Sequence, residues 1–259
     1  MLFSLNYLCY YADFSYLCTM FAIVVQKISQ LFYDILELLL PRHCLICGRK
    51  LSATETAFCM PCLLTNPFKP LFRDSEDNKL AKLFMGIMPI ERAQSMFWYA
   101  PGNELCNVIY SLKYHNAPEV GEILGRKAAN TLKKKGFFDG IDFLIPVPLT
   151  KKRKRERGYN QSELICMGIS EVTGIPVIKD NLIRIVFKES QTKKSHFERR
   201  DNVKNNFSII HPNDFDNKHV LIVDDVITTG STMKACGEII ASGADNVKIS
   251  VLSVGLAMC

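Results

Sequence analysis

The sequence predicts an α/β fold, a parallel sheet flanked by helices and preceded by a small four-cysteine module. Three observations carry this expectation. Val220 to Val223 run apolar without a break, then come Asp224-Asp225 and the loop Thr228-Thr229-Gly230-Ser231-Thr232, the pattern of a buried strand that leaves a sheet and feeds a helix. Upstream, Phe143 to Pro148, a basic segment, a helical pattern over 162–173 and the stretch 174–177 alternate as strand, loop, helix and strand, a βαβ unit. Cys44, Cys47, Cys59 and Cys62 make two C-x-x-C pairs.

Composition allows one medium domain and a smaller module. The chain has 259 residues, 48% hydrophobic and 22% charged, an ordinary globular balance. The net charge of +6 is largely local, because Lys151-Lys152-Arg153-Lys154-Arg155-Glu156-Arg157 holds six cations and one acid. The clustering of four of the ten cysteines, while Cys106, Cys166, Cys236 and Cys259 stand singly among apolar residues, points to reduced thiols in the cytoplasm and a metal site.

Taken in order, the apolar stretch 1–25 lacks the basic start of a signal peptide. Asp13 interrupts it, leaving a dozen largely apolar residues over 14–25, below the roughly 18 to 20 that span a bilayer. It is read as a start misplaced upstream of Met20, ahead of a buried extension and of a membrane anchor, and no stable membrane insertion is expected. Ile28, Leu31, Phe32, Ile35, Leu36 and Leu39 fall at helical spacing, so 26–40 is an amphipathic helix expected to pack on the domain and to stop at Pro41. Residues 1–40 thus form an extension.

The module spans 41–65. Two tight turns bring four thiolates toward one tetrahedral Zn²⁺, Gly48 easing the first knuckle, with a redox pair as the rival reading. Filled by four sulfurs, such a site is structural and leaves no place for a catalytic water. Residues 66–94 read as a connector with one short helix, and 95–259 as the main domain.

Within that domain the periodicity predicts a strand over 96–100 and a helix over 104–115 with Leu105, Val108, Ile109 and Leu112 inward. A second helix follows over 119–135, with Pro118 in its first turn and Lys133 to Gly136 closing it. The strand 143–148 leads into the basic run, Arg157-Gly158-Tyr159-Asn160-Gln161, and a helix with Leu164, Ile165, Ile169 and Val172 inward. Residues 182–186 stay apolar; 188–206 is polar and read as a mobile loop; 207–210 is a strand before the turn 213–217. The strand 220–223, a helix over 232–242 and a strand over 246–254 end the chain.

The loop 228–232 states its own chemistry. Hydroxyls and backbone amides around a glycine at a helix start suit a phosphate dianion. The two carboxylates before it suit sugar hydroxyls or hydrated Mg²⁺. No Gly-Lys-Ser/Thr ending or triple-glycine fingerprint competes. His115 and His196 are read as ordinary polar residues.

An apolar strand, Asp-Asp and Thr-Thr-Gly-x-Thr together resemble the phosphoribosyl pyrophosphate (PRPP) motif of type I phosphoribosyltransferases. With the C-x-x-C pairs, Leu112-Lys113-Tyr114, Pro146-Val147-Pro148-Leu149 and Arg-Gly-Tyr-Asn-Gln, the chain from about Pro41 onward closely resembles the ComF family of competence-related, phosphoribosyltransferase-like proteins. The resemblance implies that Asp224 and Asp225 face the ribose 2′- and 3′-hydroxyls as the catalytic acids, and that Thr228, Thr229, Gly230, Ser231 and Thr232 hold the 5′-phosphate. It implies a pyrophosphate loop of Lys151, Arg153, Arg157, Gly158, Asn160 and Gln161, Mg²⁺ bound with PRPP, and closure of the polar loop 188–200 over the site.

Displacement of pyrophosphate from C1 through an oxocarbenium-like state then needs charge compensation more than a proton shuttle. Two functions follow. One is transfer of the phosphoribosyl group to an unidentified nitrogenous acceptor. The other is a non-catalytic PRPP or nucleotide module that engages single-stranded DNA or DNA-uptake partners through its basic surface.

Overall fold

The computed structural model describes residues 19–21, 23–29, 31–32, 39, 41–65, 67–72, 78–185 and 206–257. The chain divides into two compact units, Met1–Cys44 with Gly48–Cys59, and Leu45–Cys47 with Met60–Cys259.

In the first unit residues 19–32 are helical wherever they are described. Within this unit Ile28, Leu31 and Phe32 are 61 to 63% exposed. Phe21, Val24 and Val25 are exposed too. Residues 1–18 and the positions of Ile35 and Leu36 lie outside the described residues. Among the described residues no helix is long and apolar enough to cross a membrane.

The second unit begins with α1 (Met60–Leu64) and α2 (Lys79–Lys82). Asn78 caps α2 by accepting from the amides of Leu80 and Ala81, and this is the short helix expected in the connector. Then come β1 (Ile90–Tyr99), α3 (Leu105–Tyr114), α4 (Pro118–Lys133), β2 (Phe143–Pro146), α5 (Lys151–Arg157) and α6 (Gln161–Thr173). After β3 (Leu182–Arg184) and β4 (Phe207–Ile209), a 3₁₀ turn (Pro212–Phe215) leads to β5 (His219–Ile227), α7 (Ser231–Gly243) and β6 (Lys248–Ala257).

Four strands form one parallel sheet in the order β1-β6-β5-β2. Val220 to Val223 pair with Phe143 to Pro146 on one side and Ile249 to Leu252 on the other. These positions of β5 are wholly buried, as a strand covered on both faces requires. The connections β1 to β2 and β5 to β6 cross the sheet in opposite directions, so right-handed crossovers put their helices on opposite faces. On one face Met233, Cys236 and Ile240 of α7 pack with Phe84 and Phe215 against Val220, Ile222 and Val251.

α4 and α6 approach each other closely because glycines line the contact. A Cβ on Gly125 would collide with the carbonyl of Ile165, and one on Gly168 with the carbonyl of Glu122. Along the edge of β1, Leu71 N donates to Ser95 O at 2.9 Å. The Gln94 side chain accepts from Phe72 N at 3.2 Å and donates to Phe72 O at 2.7 Å. At the opposite edge Val177 adds only a single parallel bridge to Leu144, where a strand was expected.

Three further differences have local causes. β1 starts at Ile90, six residues earlier than the apolar run, because its backbone pairs with β6 from Ile90 opposite Ile249 onward; Arg92 also donates to the carbonyls of Phe137 and Asp139. Residues 182–184 do not join the main sheet; they pair antiparallel with Phe207–Ile209 in a sheet of their own. The basic run is a helix rather than a loop, since Thr150 caps it by accepting from Arg153 N at 3.2 Å and Gly158 ends it at φ 78°. The polar loop between β3 and β4, with the site closure expected of it, lies outside the described residues.

Candidate functional site

β5 carries its two acids to the carboxyl end of the sheet, between β6 and β2, where open α/β sheets bind ligands. Asp224 is partly buried and Asp225 is 7% exposed. Asp224 Oδ1 accepts from Ser162 Oγ at 3.0 Å and from Asp225 N at 2.9 Å. Asp225 Oδ1 accepts from Val226 N at 2.6 Å, and its Oδ2 lies 3.1 Å from Lys113 Nζ. Burial, and then the charge of Asp225, push the Asp224 carboxyl up from its ordinary 3.8 to about 7; hydrogen bonds from Asp225 N and Ser162 and the Lys113 charge oppose this.

Past the strand, Thr228 and Thr229 are exposed and Gly230 turns the chain at φ 73° into the first turn of α7. A Cβ at Gly230 would meet the Phe84 ring at 3.4 Å, an ordinary contact, so glycine is needed there for its left-handed conformation. Thr229 Oγ1 donates to Ser231 Oγ at 3.1 Å and accepts from Ser231 N at 3.4 Å. The acids and the hydroxyl-lined helix start therefore belong to one strand–turn–helix.

The Arg-Gly-Tyr-Asn-Gln segment is a strap. Tyr159 OH and Gln161 Nε2 both donate to the carbonyl of Leu112, at 2.8 and 3.4 Å. Asn160 Nδ2 donates to Val147 O at 3.0 Å while its Oδ1 accepts from Ser162 N, capping α6. Arg157 Nη1 donates to Gln161 Oε1 at 2.8 Å and its guanidinium lies 5.5 Å from the Tyr114 ring centre. Asn160 and Gln161 are buried and held by protein partners, Arg157 is partly exposed, and Gly158 is the exposed C-cap of α5.

α5 itself buries no residue, Lys151 and Arg153 included. Among the described residues no ion pair joins α5 to Asp224 or Asp225; the pair described for it is internal, Lys152 to Glu156 at 3.9 Å. The structure also adds two residues that sequence reasoning did not select, Ser162 at Asp224 and Lys113 at Asp225. Lys113 sits inside the Leu-Lys-Tyr block noticed at the end of a helix, but its partner is over a hundred residues away.

The cysteine pairs converge. One sulfur from each of Cys44, Cys47, Cys59 and Cys62 lies within 4.8 Å of the others. The amide of Cys59 donates to Cys44 Sγ at 3.3 Å, Gly48 N donates to Cys44 O at 2.9 Å, and Gly48 stands at φ 70°. Four thiols brought together on a tight knuckle are the donor set of a tetrahedral soft-metal site.

Comparison with known proteins agrees with this geometry. The family model described as a phosphoribosyl transferase domain matches residues 149–254. Competence protein F of Haemophilus influenzae is 36% identical over 108 residues, 41% of this chain and 47% of that protein, so the match spans about half of that relative's length. The DNA utilization protein YhgH of Escherichia coli O157:H7 is 28% identical over 210 residues, 80% of this chain and 87% of its own. Competence protein ComFC of Bacillus subtilis is 25% identical over 195 residues, 73% of this chain and 68% of that one.

The chain is similar to the competence and DNA utilization proteins that make up the ComF family. Its parallel sheet flanked by helices is the type I phosphoribosyltransferase fold. Among solved structures, adenine phosphoribosyltransferase of Saccharomyces cerevisiae is similar at 17% identity over 55% of this chain and 71% of that one, with a TM-score of 0.36. The matched stretch runs from two residues before α5 into β6 and contains both acids, the hydroxyl loop and the strap.

Proposed function

We propose that this chain binds PRPP, or a related ribose phosphate, together with Mg²⁺, and transfers the phosphoribosyl group to a nitrogenous acceptor in the service of competence and DNA uptake. The observation that carries the reading is the single strand–turn–helix that puts two acids at the carboxyl end of β5 and a hydroxyl-lined helix start six residues later. In this reading Thr228 to Thr232 bind the 5′-phosphate through hydroxyls and amides. Asp224 and Asp225 accept hydrogen bonds from the ribose hydroxyls and stabilise positive charge growing at C1 as pyrophosphate leaves. Lys151, Arg153 and Arg157 face the pyrophosphate, with Gly158, Asn160 and Gln161 shaping the segment behind them. Mg²⁺ bound with the donor would neutralise the leaving group.

We further assign a structural Zn²⁺ to Cys44, Cys47, Cys59 and Cys62, supported by the convergence of the sulfurs and the amide bond to Cys44 Sγ. The proposed boundaries remain 41–65 for this module, 66–94 for the connector and 95–259 for the transferase-like domain, behind the extension 1–40. A reducing, cytoplasmic setting fits a cluster of thiols.

The test is a thermal-shift screen of PRPP, ribose 5-phosphate and nucleoside monophosphates with and without Mg²⁺, followed by pyrophosphate release across a panel of bases. PRPP with Mg²⁺ should raise the melting temperature, and Asp225→Asn should abolish release while the protein stays folded. No shift with any ribose phosphate would reject the site; a shift without release across the panel would reject transfer to those bases. The second reading, a non-catalytic module engaging single-stranded DNA or uptake partners, is favoured by the exposed cations of α5. It requires DNA binding that weakens steeply with salt and on neutralising Lys151 to Arg155.

A further inference from the structure

One contact at the proposed site has no role in that reading. Lys113 Nζ lies 3.1 Å from Asp225 Oδ2, with the two side chains 22% and 10% exposed. The lysine is presented there by a fixed piece of backbone. The carbonyl just before it, of Leu112, accepts from Tyr159 OH and Gln161 Nε2, and the ring just after it, of Tyr114, lies under the Arg157 guanidinium. The other oxygen of Asp225 accepts from Val226 N. Both oxygens of this carboxylate are thus engaged, one by backbone and one by a cation.

A hard divalent ion needs carboxylate oxygens whose charge is not already neutralised. An ammonium in contact with the carboxylate removes that charge and repels a second cation, and at contact distance salt does little to screen it. We propose that Lys113 is a placeholder cation, which closes Asp225 to a bare divalent ion so that the ion enters only as a complex with the phosphoribosyl donor. The donor's own anionic groups then give the ammonium an alternative partner and release the carboxylate. This inference rests on the reading that Asp224 and Asp225 receive the sugar of PRPP. It makes Lys113 a specificity residue: the site refuses metal alone and accepts metal with sugar phosphate.

The test titrates zinc-replete protein with Mn²⁺ alone, reading free Mn²⁺ by electron paramagnetic resonance. Wild type and Lys113→Arg should show weak uptake, Lys113→Met should bind about one Mn²⁺ at least tenfold more tightly, and Asp225→Asn added to Lys113→Met should remove the gain. Lys113→Gln carries the same expectation if the methionine variant does not fold. No gain on losing the lysine, or a gain that survives Asp225→Asn, overturns the proposal. A parallel thermal shift of wild type with PRPP and Mg²⁺ separates the two readings: its absence beside a Mn²⁺ gain rejects the PRPP site and the donor-driven release but keeps Lys113 as a block to bare metal, and its presence without a gain keeps the PRPP site and rejects the block.

Discussion

Asp224 and Asp225 are adjacent in sequence, yet their surroundings set them different tasks. Asp225 is matched to Lys113, whereas among the described residues Asp224 has a hydroxyl and an amide as hydrogen-bond partners and sits beside another carboxylate. Its folded carboxyl titrates at about 7, above the ordinary 3.8. A carboxyl raised on folding gives stability that is fully present below about pH 4, is lost as pH rises toward 7, and stays lost above that. Asp224→Asn should therefore raise the melting temperature of the ligand-free protein at pH 8, on the order of 1 kcal/mol or roughly 2–4 °C, and change little at pH 4. An equal effect at both pH values would rule out this origin.

Ser253 offers a second test at the same scale. Its hydroxyl is buried without a hydrogen-bond partner among the described residues, and the residue pairs with Asp224 across β5 and β6. An unsatisfied buried hydroxyl costs about 1–3 kcal/mol, so Ser253→Ala should be neutral or stabilising in chemical denaturation. A clear loss of stability would mean that the hydroxyl has a partner.

Among the elements, the α4–α6 contact sets the tightest limit. Gly168→Ala drives a methyl into the carbonyl of Glu122, and overpacking of this kind costs about 1–3 kcal/mol or more. Urea denaturation should show that loss, whereas Gly102→Ser, with open space around its Cβ position and an exposed site, should lose only what its positive φ costs.

Elements differed in how well the sequence announced them. β5 and β6 were legible because a strand buried on both faces must be written as an apolar run. α3, α4, α6 and α7 were legible through their period and their Pro or Gly ends. α5 was not, since seven charged residues have no apolar face and the helix rests on Thr150 and Gly158 at its two ends. The strap was visible as a motif but not as a strap, because its partners are carbonyls of Leu112 and Val147 that no local pattern marks. The same distance hid Lys113 and Ser162 from the reading of the acids. The acids and their phosphate loop were legible because both are contiguous in the chain.

For the molecule as a whole, the four-cysteine cluster and the sheet call for separate assays. The proposal of a structural Zn²⁺ predicts about one Zn²⁺ per chain by elemental analysis. It also predicts that strong chelation releases the metal and makes Cys44 to Cys62 accessible to thiol reagents. A chain free of metal with unreactive, folded cysteines would reject the assignment. Chelation should leave Cys166 and Cys236 unreactive, because burial raises both thiols above their ordinary range.

The covered edge of β1 also bears on how a protein of this kind can meet its partners. Leu71 N already takes the carbonyl of Ser95 there, and the Gln94 side chain holds the Phe72 backbone alongside the edge. A partner polypeptide that sought to extend the sheet would first have to peel this segment away, which also protects the protein against edge-to-edge aggregation. Recognition of any partner is thereby directed away from strand addition at this edge and toward surfaces read by side chains, such as the basic helix α5.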